Sequence, residues 1–274
     1  MKNTSVCVLI PVYQQQLSAY EAISLDQGVR VLGNYPIILV KPCSLDVNYL
    51  LEKYPLLKTE NFDDGYFKST LTYNRLLLSE EFYARFTAHE YMLIYQLDAF
   101  VFRDELAYWC GLGYDYIGAP WRIEIDFDSR LKELIWKFKK QIAIWFDLKE
   151  ELYGKYGPKE IIVKRSVGNG GFSLRKTQKL LSLIPENRKK IEAYLALAST
   201  HPAYNEDMFW CIELNRYLPK LRIPDWRVAL KFAVEHMPEK AYQLNEGLPF
   251  GCHAWDIYET EFWKKHIRNL GYEL

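Results

Sequence analysis

A mainly parallel β-sheet flanked by helices, built as one α/β domain, is the fold this sequence predicts. Three observations predict it. Short apolar, β-branched runs alternate with helical stretches in β-α-β order, the pattern of parallel strands joined by crossover helices. A chain of 274 residues with 49% hydrophobic content can bury a sizeable core. No linker, repeat or low-complexity segment divides it, so the domain is expected to run from residue 1 to residue 274.

In order along the chain, V-C-V-L-I-P-V-Y (Val6 to Tyr13) is the first strand. Ser18 opens a helix with apolar residues at Tyr20, Ile23, Leu25, Val29 and Leu32, and Gly33 ends it. Y-P-I-I-L-V-K-P is the second strand, Tyr66 to Tyr83 is helical, and Glu90 to Phe102 holds a further strand. Y-D-Y-I-G-A-P-W (Tyr114 to Trp121) is another strand running into a Gly/Pro break. Ser129 to Tyr153 departs from the rhythm. Its Leu131, Leu134, Ile135, Phe138, Ile142 and Trp145 form a helical stripe, and Arg130, Lys132, Lys137, Lys139 and Lys140 outweigh Glu133. The segment predicts an inserted basic amphipathic helix, either packed on the core with snorkelling lysines or lying in a membrane interface. K-E-I-I-V-K-R-S-V-G-N-G-G-F-S-L-R-K then supplies two strand-like pieces around a glycine turn, after which helices resume.

Composition excludes several classes of function. With 35 basic and 35 acidic residues there is no global field to attract nucleic acid. Aromatic content of 16%, including 21 Tyr and 8 Trp, suits a surface of flat amphipathic side chains such as sugar sites use. Cys7, Cys43, Cys110, Cys211 and Cys252 are odd in number and lack C-x-x-C spacing, which predicts reduced thiols. No apolar stretch approaches the ~20 residues of a bilayer span, and the only apolar run near the N-terminus is cut by Pro11. The expected setting is a reducing cytosol or the cytoplasmic face of a membrane.

Five constellations carry candidate chemistry. In Y-Q-L-D-A-F-V-F, Gln96 and Asp98 interrupt an otherwise apolar run, and a buried carboxylate needs a partner or an opening to solvent. Tyr13, Asp98 and Trp121 fall near predicted strand ends, where ligands of parallel sheets collect. V-G-N-G-G-F-S-L-R-K lacks the standard phosphate-loop spacings; its glycines serve a close ligand approach or a simple turn. N-E-D-M-F-W places Glu206 and Asp207 at a helix start behind Asn205, as dipole partners or as a general base. F-G-C-H-A-W sets His253 in a non-periodic segment, as a satisfied polar residue or, with a distant Asp, as a ligand to a divalent ion. Tyr73 and Asn74 sit on a helix beside the sheet.

Taken together, Y-N-x-L, Q-x-D-A-F-V, Y-D-Y-I-G-A-P-W, G-N-G-G-F-S-L-R, E-D and F-G-x-H-x-W, spread from Tyr73 to Trp255, resemble a poorly characterised family of glycosyltransferases with the GT-A fold. The resemblance implies a nucleotide-sugar donor, UDP by family frequency, and a glycan or lipid-linked acceptor. It places Pro11, Val12, Tyr13, Asn74, Gln96 and Asp98 at the nucleotide, and Trp121, Asn169, Gly170, Gly171 and Trp255 at the donor sugar or acceptor. Asp98 and His253 would share Mn²⁺ or Mg²⁺, with Gln96 standing where the D-x-D motif has its first acid. Asp207 would be the base of an inverting transfer, with Glu206 beside it as the alternative. Two rivals remain: a sugar-nucleotide pyrophosphorylase, opposed by the absence of a glycine- and basic-rich loop at P-V-Y-Q-Q-Q, and a non-catalytic glycan- or nucleotide-binding domain.

Overall fold

The computed structural model describes residues 5–123, 126–152, 154–199, 201 and 203–274. Its strands are β1 (Val6–Pro11), β2 (Ile37–Pro42), β3 (Leu57–Phe62), β4 (Tyr91–Tyr95), β5 (Phe100–Val101), β6 (Tyr116–Ile117), β7 (Lys149–Leu152), β8 (Lys155–Pro158), β9 (Phe172–Lys176), β10 (Ala233–Val234) and β11 (Gly251–Cys252). Six of them form a central sheet in the order β3-β2-β1-β4-β9-β6. The first four in that order run parallel, and β9 is inverted, pairing antiparallel with both β4 and β6.

Every residue of β1 is buried because both faces of the sheet are covered. Val6, Val8 and Ile10 enter one core with Leu93 and Tyr95, while Cys7 and Leu9 enter the other with Met92 and Ile94, as the two-residue period of a strand requires. The helix Ala19–Leu32 is entered through a capping box between Ser18 and Glu21 and ends at Gly33. Its buried polar residues tie the layers together. Ser24 accepts Tyr95 Oη on its carbonyl at 2.8 Å and Trp255 Nε1 on its hydroxyl at 3.0 Å, and Gln27 Nε2 donates to the Val101 carbonyl at 2.6 Å.

Several expected elements are redrawn. β3, L-K-T-E-N-F, is an edge strand with a half-exposed polar middle and so carries no apolar run to mark it. The helical stretch Tyr66 to Tyr83 is a 3₁₀ turn and two helices, Thr70–Leu77 and Glu80–Ala84, because Ser69 and Ser79 each cap a new start. β4 ends at Tyr95, so Gln96 and Asp98 lie in a turn closed by Ala99 N–H to the Gln96 carbonyl at 2.9 Å, not inside a strand. Of Tyr114 to Trp121, Tyr116 and Ile117 form strand, and Pro120 adds an isolated bridge to Val167. The inserted helix is Arg130–Trp145, capped by Ser129, and the chain then turns into the β7–β8 hairpin; Tyr153 lies outside the described residues. Glu160–Val163, expected as strand, is a helical turn, so the glycine turn is not a hairpin. Among the described residues no helix is long and apolar enough to cross a membrane.

A small sheet, β10-β11-β5, closes one end of the molecule, with β10 parallel and β5 antiparallel to β11. Between the sheets and the later helices lies a fully buried ion pair. Arg175 on β9 meets Glu206 through two nitrogens, at 2.7 and 3.0 Å, and also donates to Ser173 Oγ at 3.0 Å and Tyr83 Oη at 3.2 Å. Its guanidinium lies over the Tyr116 ring at 5.1 Å. Burial pushes the Glu206 carboxyl above its ordinary range even with Arg175 beside it. Removing one partner strands the other charge in the interior. Arg175→Met is expected to cost about 3–5 kcal/mol in urea unfolding. Arg75→Met, which breaks the exposed pair with Glu192, should stay within about 1 kcal/mol. Equal losses in the two variants would contradict this assignment.

Candidate active site

A cleft of ≈ 670 Å³ opens at the carboxyl ends of β1 and β4. Pro11, Val12, Tyr13, Gln96 and Asp98 line it, together with Tyr73, Lys68 and Asp256. The sequence leads there directly: β1 runs out at Pro11 and β4 at Tyr95, and Tyr13 stands 57% exposed at the lip with its ring free to stack on a flat ligand. Tyr73, from the helix Thr70–Leu77, lines the same cleft as Gln96.

Strand register assembles the polar groups behind the cleft. Cys252 pairs with Phe100 and, on its other side, with Val234. His253 therefore follows β11 at the same end where Asp98 precedes β5 and Glu235 follows β10. His253 Nε2 lies 3.3 Å from Asp98 Oδ1 and 3.4 Å from Gln96 Oε1, and Nδ1 lies 3.1 Å from Glu235 Oε1. Burial opposes charge on the ring, but Asp98 and Glu235 outweigh it and hold the imidazolium up to about 10. Burial would also raise Asp98, yet His253 brings it below its usual value.

Asp98 Oδ1 is buried and accepts no hydrogen bond; the contact with His253 has ion-pair reach without hydrogen-bond alignment. A carboxylate oxygen facing an imidazole nitrogen needs a cation between them, either the proton on Nε2 or a metal ion that replaces it. Glu235 stands behind Nδ1, so the ring lies between two carboxylates. Among the described residues no group of three or more His, Cys, Asp or Glu could hold a metal, so an ion at Asp98 and His253 would take its other ligands from phosphate oxygens and water. On those terms the donor set fits Mn²⁺ or Mg²⁺.

The glycine segment joins this cluster to a second carboxylate. Gly171 lies so close to His253 that a β-carbon there would collide with Nε2, and one at Gly170 would collide with Glu206 Oε1. Gln96 N–H donates to the Gly171 carbonyl at 2.8 Å, and Gly170 N–H donates to Asp207 Oδ2 at 2.9 Å. Asn169, held at φ 63°, receives Gly171 N–H on Oδ1 at 3.2 Å and places its amide nitrogen 3.1 Å from His253 Nδ1. Asp207 also accepts Met208 N–H at 2.7 Å. Burial, then the charge of Glu206, push its carboxyl up to about 7 despite these two backbone donors. A carboxyl poised near neutrality can take a proton and release it.

Some expected site residues are placed elsewhere. Trp255 is fully buried, packed against Tyr20 and Phe100, which removes it from any sugar surface. Glu206 is consumed by Arg175 and has no route to an acceptor. Asn74 does not line the cleft; it is buried, accepts Glu206 N–H at 3.2 Å and donates to Asn205 Oδ1, so it caps the Glu206 helix in place of the Asn205 side chain. Trp121 is half-buried over Gly168 and, like Asn169, Gly170, Gly171, Asp207 and His253, is not among the residues that line the cleft. Glu235 and Arg175 were missed. Their signals were a carboxylate directly after the apolar pair Ala233-Val234, and an arginine on the same face as Ser173 in the alternating F-S-L-R.

The fold is that of the GT-A proteins. The structure is similar to that of the mouse xyloside xylosyltransferase 1 apo form, with TM-score 0.53 and 12% identity over 90% of this chain and 96% of that one. It is similar to the galactosyltransferase LgtC in complex with donor and acceptor sugar analogues, with TM-score 0.52 and 13% identity over 98% and 97%. It is also similar to the apo WbbM bifunctional glycosyltransferase, with TM-score 0.50 and 13% identity over 92% of this chain; only 46% of that longer protein is covered. At these identities the likeness is one of fold. No curated protein matches the chain significantly in sequence. Residues 56–253, well over half of the chain, match the family described as Protein of unknown function (DUF5672), and the chain belongs to that family.

Proposed function

We propose that this protein is a nucleotide-sugar-dependent glycosyltransferase acting with inversion on a glycan or lipid-linked acceptor, in surface polysaccharide or glycoconjugate synthesis. One observation carries the reading: a single glycine pair, Gly170-Gly171, joins the Asp98–His253 cation position to a carboxylate poised near neutrality, Asp207. In this reading Pro11, Val12 and Tyr13 receive the nucleoside, and Gln96 contributes hydrogen bonds beside it. A UDP-sugar is the donor to try first. Asp98 and His253 would hold Mn²⁺ or Mg²⁺, whose charge neutralises the leaving diphosphate. The acceptor oxygen attacks the anomeric carbon from the face opposite the diphosphate. As that bond forms, the sugar–phosphate bond breaks and Asp207 takes the hydroxyl proton. Gly170 N–H and Met208 N–H keep the Asp207 carboxylate aimed while it does so.

A panel of nucleotide sugars tested for hydrolysis and transfer, with and without Mn²⁺, checks the reading; binding without turnover of any donor would favour the non-catalytic domain. Asp98→Ala and His253→Ala should each weaken Mn²⁺-dependent nucleotide binding while leaving the circular dichroism spectrum intact, and unchanged metal dependence in both would remove the cation assignment. Asp207→Asn keeps the side-chain size and removes the base, so turnover should fall by about 10² to 10⁴ with donor affinity retained. Because Asp207 works deprotonated and titrates near 7, kcat/KM for the wild type should rise with pH through that value and flatten above it. A flat profile between pH 5 and pH 8, or near-normal transfer by the Asn variant, would exclude Asp207 as the base.

A further inference from the structure

Helix Arg130–Trp145 turns its apolar stripe away from the protein. At ~100° per residue, Leu131, Leu134, Ile135, Phe138, Ile142 and Trp145 fall within an arc of roughly 100°. Leu131, Leu134 and Phe138 are 66%, 62% and 62% exposed, and Phe146 just beyond the helix is 71% exposed. The opposite face is the docked one. Ala143 is buried there, and Lys140 reaches inward to donate to the Lys164 carbonyl at 2.6 Å. A helix that simply packs on a globular core presents the reverse arrangement.

Charge says what the stripe faces. On the helical wheel Lys132 and Lys139 border it on one side and Arg130 and Lys137 on the other, and Glu133 is the only acid on the helix. Lys132 pairs with Asp128 in an exposed contact that costs little to exchange, and Lys137 pairs with the half-buried Glu133. Arg130 and Lys139 have no ion-pair partner among the described residues. An apolar stripe edged by cations on both flanks matches the boundary between acyl chains and anionic headgroups. A second copy of this helix would bring like charges together.

We propose that Arg130–Trp145 is an interfacial anchor that seats the protein on an anionic lipid bilayer. The inference goes beyond the donor site and stands independently of the transfer reaction. It also has a geometric consequence for that reaction. The helix leans on Glu160–Val163, and the chain continues from there through Arg165, whose N–H donates to the Trp121 carbonyl at 2.7 Å, to the glycine pair beside Asp207. A lipid-linked hydroxyl would therefore arrive on the Asp207 side.

The test is flotation of the full chain, without nucleotide, on phosphatidylcholine vesicles with and without phosphatidylglycerol. Binding is expected to rise about tenfold with the anionic lipid and to weaken with added salt. Leu134→Ser with Phe138→Ser should abolish flotation while leaving Tm and nucleotide-sugar binding unchanged, because both side chains are exposed. Lys132→Glu with Lys139→Glu should remove the anionic preference. The proposal is overturned if the wild type floats with neither vesicle, if the double-Ser variant floats as well as the wild type, or if that variant instead abolishes a concentration-dependent dimer.

Discussion

The buried Arg175–Glu206 pair is the interaction on which the site depends. Two charges taken out of water are costly, and the pair persists because the guanidinium's donors are satisfied by a bidentate carboxylate, two hydroxyls and an aromatic face. Arg175 belongs to β9 and Glu206 to a helix that starts some thirty residues later, so the pair clamps that helix start against the sheet. Asp207 follows Glu206 in sequence and is thereby delivered to Gly170 N–H. The same Glu206 charge keeps Asp207 from ionising easily. One interaction thus sets the position of the candidate base and, after burial itself, adds to its proton affinity.

The inverted strand is the second determinant. Because β9 runs against β4, the start of β9 lies at the rim where β4 ends, with Tyr95 opposite Phe172. The residues before Phe172 are Gly170 and Gly171, and only glycine leaves room for His253 on one side and Glu206 on the other. The run G-N-G-G therefore serves side chains packed against the backbone as much as any ligand. The small sheet completes the arrangement by register alone, since pairing Cys252 with both Phe100 and Val234 makes Asp98, His253 and Glu235 neighbours.

The cleft and the inserted helix answer to different physics. In the cleft, polar groups are held in fixed geometry by backbone donors and strand ends. On the helix, apolar side chains are left uncovered and flanked by flexible cations, an arrangement suited to a soft, charged surface rather than to a shaped ligand. The helix belongs to the middle of the chain, whereas the cleft is lined by residues from 11–21, 67–73, 96–98 and 256–257.

What the sequence determined by itself was local. The uninterrupted apolar run of β1, the Ser18–Glu21 cap, the stop at Gly33 and the stripe of Arg130–Trp145 are periodicities and caps, which depend on near neighbours and so stand in the order of residues. Asp98 was legible as a residue out of place, because a carboxylate amid apolar neighbours carries its cost wherever the chain goes. The tertiary structure decided the rest. β3 is strand because β2 offers it a partner, although its own pattern is polar. Glu206 and Asp207 are adjacent acids that sequence could not separate; Arg175, brought from another strand, takes the first and leaves the second. Trp255 went into the core because Ser24 and Phe100 meet it there, and Glu235 joined His253 through strand register. Each of these outcomes rests on a contact between residues far apart in the chain, and the free energy of such a contact exists only once the fold has formed.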